Sequence, residues 1–231
     1  MPSSLSSTLL RYHFLCRPLL TNCPALIIGL LLLTGYANAQ DTTPAKLPIL
    51  KPGEAVATFA GGCFWAQEEA FDQLKGVREV VSGYPGGNVK NPTYQEVGTD
   101  QTGHAEAVQV YYDPGVISYK DLLVGFFAVH DPTTLNRQGP DTGKDYRSVA
   151  FYRTPAEKEA IDEAIETVDA SRHFGGPVVT EVVPFKVFYA AENYHQNYCK
   201  LHPDQSYIQH VSLPKVAKLR KAMVGKLKSA L

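Results

Sequence analysis

Short runs in which side chains alternate with a period of two, mixed with helical patterns in no fixed strand-helix-strand order, constrain this chain most. The clearest is Ala105 to Tyr112. There Ala105, Ala107, Gln109 and Tyr111 alternate with Glu106, Val108, Val110 and Tyr112. Neighbouring side chains of a strand point to opposite faces, so this run is a strand that carries Glu106 on the valine side. Val77 to Tyr84 is a second strand, closed by Pro85, Gly86 and Gly87, and Glu54 to Ala60 is the first. Before it, residues 40–53 with Pro44, Pro48 and Pro52 form an extended linker or edge segment, and Val178 to Ala190 is a strand run bent at Pro184. Asn91 to Gly103 is polar and irregular.

Helical signals separate these runs. A helix is expected from Phe64 to Leu74; Ser118 with Asp121 forms a capping box for one through Phe127; Thr154, Pro155 and Glu157 open one through Ala170. Glu192 to Cys199 reads as a short helix with His195 and Cys199 one turn apart. From Pro214 the tail is a basic amphipathic helix, with Val216, Leu219 and Met223 on the face expected to dock on the sheet. The GxGxxG fingerprint is missing and the centre is hairpin-like, which favours α+β over a doubly wound sheet. His130 to Arg147 is a long, weakly apolar loop, and such loops inside compact domains are often functional.

The first 39 residues stand apart. Arg11 and Arg17 lie in an acid-free leader, Ala25 to Leu33 is apolar apart from Gly29, and Ala37, Asn38 and Ala39 form a small-residue cleavage site. The pattern is that of a secretory signal peptide cut after Ala39, followed by the linker 40–53 and one domain over 54–231. An exported, periplasmic or secreted protein is expected, the alternative being a membrane anchor formed by an uncleaved leader. Cleavage removes Cys16 and Cys23 and leaves Cys63 and Cys199. In an oxidising compartment that pair is compatible with a structural disulfide in a non-enzymatic domain. The absence of any CxxC excludes a four-cysteine zinc site and weakens a thiol-disulfide oxidoreductase reading. A formal net charge of −1 argues against bulk nucleic-acid binding.

Within the domain, Cys63 follows two glycines and opens a helix, where the helix dipole and unpaired backbone donors favour a thiolate. Phe64 and the only tryptophan, Trp65, are placed to wall an apolar pocket beside it; an inert core thiol in an aromatic cluster is the plainer alternative. Glu106, a carboxylate among valines, should have a raised pKa and so be able to donate a proton; a solvated edge position is the plainer alternative. Tyr94 and Tyr146 flank polar loops and offer hydroxyl donors, while Asp141 between Pro140 and Gly143 suits a turn as well as a ligand.

Six ordered segments then carry a resemblance. GGCFWAQEEAF, SGYPGG, NPTYQEV, TGHAEAVQVYYDP, HDPTTLNRQGPDTGKDYRS and AENYHQNY resemble the signature segments of the A-type peptide methionine sulfoxide reductases, from Ala57 to His202. The resemblance implies an α+β fold, a two-layer sandwich of a mixed sheet and flanking helices related to ferredoxin-like folds. It implies reduction of the S epimer of methionine sulfoxide, free or in oxidised proteins, by a monomeric enzyme. No bound cofactor or metal is implied, only an external thiol reductant such as a thioredoxin-like protein or dithiothreitol. It makes Cys63 the nucleophile, Glu106 the acid at the sulfoxide oxygen, Tyr94 and Tyr146 its assistants, Phe64 and Trp65 the methyl-group walls, and Asp141 a substrate-binding residue. Ala66 and Pro85 depart from the family's common glycine and alanine. So does the tail: many members carry resolving cysteines in a glycine-rich C-terminus, and here no cysteine follows Cys199. Cys199 is then a candidate resolving thiol, with His195 assisting its ionisation; the alternative is a thioredoxin-like reductant that meets the sulfenic acid directly.

Overall fold

The computed structural model describes residues 40–229. The leader and its cleavage site lie outside the described residues, and no helix among those described is long and apolar enough to cross a membrane. In chain order the elements are β1 (Ala55–Gly61), α1 (Phe64–Asp72), β2 (Val77–Pro85), α2 (Tyr94–Val97), β3 (Ala107–Tyr112), α3 (Tyr119–Val129), β4 (Arg137–Gln138), β5 (Asp141–Thr142), β6 (Ser148–Tyr152), α4 (Pro155–Ser171), β7 (Glu181–Pro184), β8 (Phe188–Ala190), α5 (Tyr198–Leu201) and α6 (Leu213–Ala222). The six long-range strands form one mixed sheet in the order β7-β6-β1-β3-β2-β8, antiparallel except for β6 with β7. The fold is α+β, as expected.

The alternation along β3 is expressed in full. Val108, Val110 and Tyr112 join the main core beneath the helices, and Ala107 and Tyr111 join a smaller core on the opposite face. Because β3 lies at the centre of the sheet, the edge reading of Glu106 fails. Phe59 of β1 fixes the helical layer: its ring stacks on Phe71 of α1 at 5.6 Å and on Phe126 of α3 at 4.9 Å. All three are fully buried, each contributing about 1.5–3 kcal/mol of apolar burial. Both expected caps form. Ser118 Oγ accepts from the Asp121 N–H at 3.1 Å, and Thr154 Oγ1 accepts from the Glu157 N–H at 3.1 Å.

Four expectations need correction. The run Val178–Ala190 is not one bent strand: β7 pairs with β6, whereas β8 pairs with β2 at the other edge. Pro184 has no N–H to continue the ladder. From Pro184 to Phe188 the chain spans at most about 14 Å, while the edges of a flat six-stranded sheet would lie about 24 Å apart. The sheet must therefore curl, and Phe151 of β6 accordingly reaches Gly86, just past the end of β2. Second, Ser148–Tyr152 is a strand that the sequence pattern did not disclose, and the preceding loop contains the β4-β5 hairpin and a 3₁₀ turn at Lys144–Tyr146. Third, Glu192–Cys199 is broken into a 3₁₀ turn, Asn193–His195, and α5, because Asn197 adopts left-handed φ of 56°. Fourth, α6 buries Val216 and Leu219, with Met223 just past its end, as expected, but α6 packs against α1 and α3 instead of the sheet.

The segment before β1 behaves as an edge strap. The Ala45 N–H donates to Ala191 O at 2.9 Å, the Asn193 N–H to Thr43 O at 2.8 Å, and Asn193 Nδ2 to Asp41 Oδ2 at 2.8 Å.

Candidate active site

Cys63 occupies the N-cap position of α1, directly after β1, and is 6% exposed. Gly62 makes this turn possible: its φ is +86°, and a β carbon there would lie 2.5 Å from the Gln138 side chain. The turn sets the sulfur among four groups. Glu106 opposes its ionised form, whereas the Trp65 N–H, the Tyr207 hydroxyl and the Lys215 side chain favour it. Burial outweighs all of these and pushes the Cys63 pKa well up. The expected resting thiolate is thus corrected: at neutral pH the group is a thiol, and the helix N-terminus moderates a larger penalty.

Glu106 sits immediately before β3, 1% exposed. Its N–H donates to Asp145 O at 2.8 Å, and its Oε2 accepts from the Phe64 N–H at 3.1 Å. Burial raises its pKa to about 8 against this hydrogen bond, and the nearby Asp145 and Asp141 push the same way. The second oxygen is left to carry the proton. A neutral carboxyl therefore faces a thiol across the first turn of α1.

Two tyrosines bound the same space. Tyr94 opens α2, held by its N–H to Glu192 Oε1 at 2.9 Å, and its hydroxyl meets that of Tyr146 at the end of the 3₁₀ turn. Burial, then the Glu106 charge, raises both tyrosines, so each remains a hydroxyl donor. Asp141, in β5, accepts the Tyr207 hydroxyl on Oδ2 at 2.6 Å. The sequence therefore placed Cys63, Glu106, Tyr94, Tyr146 and Asp141 in one constellation. It missed Tyr207, since one tyrosine among thirteen carries no signal.

The aromatic pair divides its work. Phe64 is fully buried, packed on Tyr84, Tyr94 and His195. Trp65 is half-buried, stacked on Tyr198 at 3.9 Å with Tyr207 edge-on at 5.9 Å. The indole Nε1–H donates to His195 Nδ1 at 3.1 Å. Indole nitrogen can only donate, so His195 Nδ1 must be unprotonated; burial agrees, lowering the His195 pKa to about 4. His195 thus orients Trp65 and does not activate Cys199. Replacing His195 by Ala should raise KM about tenfold with a smaller change in kcat, the worth of roughly one buried hydrogen bond. Because Trp65 is the sole tryptophan, its emission should shift to the red in the same variant. Unchanged KM and emission would remove this role.

Cys199, in α5, is 5% exposed and donates from Sγ to Trp65 O at 3.3 Å. Burial raises its pKa to about 12. Both thiols are free.

The comparisons agree with this geometry. A family model described as peptide methionine sulfoxide reductase matches residues 55–228. The peptide methionine sulfoxide reductase MsrA of Deinococcus radiodurans is 49% identical over 196 residues, covering 85% of this chain and 92% of the relative. That of Thermus thermophilus is 49% identical over 175 residues, 76% of this chain and 98% of the relative. Among solved structures, reduced Mxr1 of Saccharomyces cerevisiae superposes with a TM-score of 0.63 at 33% identity, covering 68% and 91%. Methionine sulfoxide reductase A of Corynebacterium diphtheriae gives 0.60 at 30% identity, covering 71% and 89%. A buried thiol facing a neutral carboxyl is thus set in a chain that belongs to the peptide methionine sulfoxide reductase family.

Proposed function

We propose that Cys63 attacks the sulfur of a methionine S-sulfoxide, free or in an oxidised protein, while Glu106 protonates the sulfoxide oxygen. The observation that carries this reading is the buried Glu106 carboxyl, neutral up to about pH 8, opposite the thiol at the N-cap of α1. Sulfoxide sulfur is a poor electrophile until its oxygen gains a proton, and Tyr94 and Tyr146 add hydroxyl donors to that oxygen. Trp65 packs on the methyl group, with Phe64 behind it. In the opposite epimer the oxygen would meet the aromatic wall unpaired.

The step balances. Cys63 thiol and sulfoxide become Cys63 sulfenic acid and methionine; the proton leaving the thiol replaces the one that Glu106 gives to oxygen. Cys199 then displaces the sulfenic hydroxyl as water, forming a Cys63–Cys199 disulfide that an external dithiol, such as a thioredoxin-like protein, reduces. Cys199 suits this role because its sulfur already touches the backbone of the first turn of α1.

Thiol titration tests both steps. One equivalent of the S epimer should consume two thiols in the wild type and one in Cys199→Ser, where the sulfenic acid persists; the R epimer should consume none. An intramolecular disulfide in Cys199→Ser, or normal turnover of that variant with a thioredoxin donor, would remove Cys199 from the cycle.

The leader supports export, with cleavage after Ala39 and a donor in the same compartment. A leader retained as a membrane anchor is the second form. N-terminal sequencing of the protein from its native cell separates the two.

A further inference from the structure

Lys215, in the first turn of α6, brings to this site a charge that no step above uses. Its Nζ is closed off from solvent and has no hydrogen-bond partner among the described residues. Burying an ammonium is costly unless it is paired. The nearest carboxylate oxygen, Asp141 Oδ2, is 4.0 Å away and already accepts the Tyr207 hydroxyl. On the other side lies Gly62: a β carbon there would be 3.6 Å from Nζ. The ammonium is therefore held against the residue preceding Cys63, in a place that its own stability does not explain.

We propose that the Lys215 ammonium stabilises the Cys63 thiolate as it forms, and so acts as an electrostatic positioning residue for the nucleophilic step. The inference rests on Cys63 being the nucleophile. The groups facing Cys63 come from four parts of the fold: the Trp65 N–H from α1, Glu106 at the start of β3, the Tyr207 hydroxyl ahead of α6, and Lys215 in α6. Tyr94 and Tyr146 stand farther round as neutral hydroxyls. Burial lowers the Lys215 pKa, the Cys63, Asp141 and Glu106 charges oppose that shift, and Lys218 adds to it. Among them Glu106 disfavours the thiolate once it has given up its proton. Lys215 is the cation that balances this charge when the substrate oxygen takes the proton.

The test reads the thiolate and not turnover, so it stands or falls separately from the proposed reaction. Alkylation of Cys63 by iodoacetamide, followed at the Cys63 peptide by mass spectrometry, gives its rate against pH. In Lys215→Met, which keeps the stem and removes the charge, the profile should move up by about one unit, slowing alkylation near pH 8 about tenfold. Lys215→Arg should restore most of the wild-type profile. A Lys215→Met profile superimposable on that of the wild type overturns the proposal. Should the Met variant fail to fold, the wild type alone decides. Near neutral pH, anionic iodoacetate should gain on neutral iodoacetamide relative to their ratio on glutathione, and no gain overturns the proposal. Full reductase activity in Cys63→Ser would instead sink the reaction and leave the alkylation result standing.

Discussion

Cys63→Ser is expected to fold as the wild type does and to lose methionine S-sulfoxide reduction by at least about 10⁴-fold. Serine is nearly the size of cysteine, and at the N-cap of α1 it is among the preferred residues, so the melting temperature should hold or rise slightly. The hydroxyl cannot replace the thiol, because reduction ends with the oxygen on a sulfur that must then be displaced. Methionine release with dithiothreitol as reductant, beside a thermal melt, measures both halves. Full activity with an unchanged melt would end the assignment of Cys63.

Glu106→Gln should cost about 10²–10⁴-fold in rate at neutral pH, the usual worth of a positioned proton donor. The pH dependence is more telling than the loss. Wild-type activity should fall as pH rises through about 8, where the carboxyl gives up its proton, and the Gln variant should lack that limb. Stability moves in a related way. The folded carboxyl keeps its proton up to about 8, while the unfolded chain releases it near the ordinary 4.5. Between those values the native state binds more protons, so rising pH destabilises the wild type across this window. The Gln variant has no such titration, and its melting temperature should gain on the wild type from the acid to the alkaline side. Parallel melts together with an unchanged rate would return Glu106 to a structural role.

The parts that the sequence disclosed are those decided by neighbours in the chain. The Ser118 and Thr154 caps, the period of β3 and the apolar stripe of α6 all rest on contacts within a few residues. Glu106 was legible because its anomaly, an acid on a valine face, is itself local. What escaped depends on partners far along the chain. β6 has no turn or period of its own and is a strand because β1 and β7 accept it. The division of Val178–Ala190 between two edges follows from the curl of the whole sheet. The site shows the same rule. The role of His195 changed once Trp65, 130 residues away, took its Nδ1. The resting state of Cys63 changed because burial, which no local pattern reveals, outweighed the helix start.

The strap along Asp41–Ala45 bears on the order of events in the life of the chain. Among the described residues Asp41 is the first bonded to the body, through Asn193, and a cut after Ala39 would leave Gln40 alone ahead of it. A docked strap holds this stretch of chain against the body. Under the proposed cleavage after Ala39, the cut would come before the strap closes over Ala191–Tyr194. Those residues are among the last third to be synthesised, so the strap can close only late in the making of the chain. In a chain exported with cleavage after Ala39, as proposed above, the cut would therefore compete with folding.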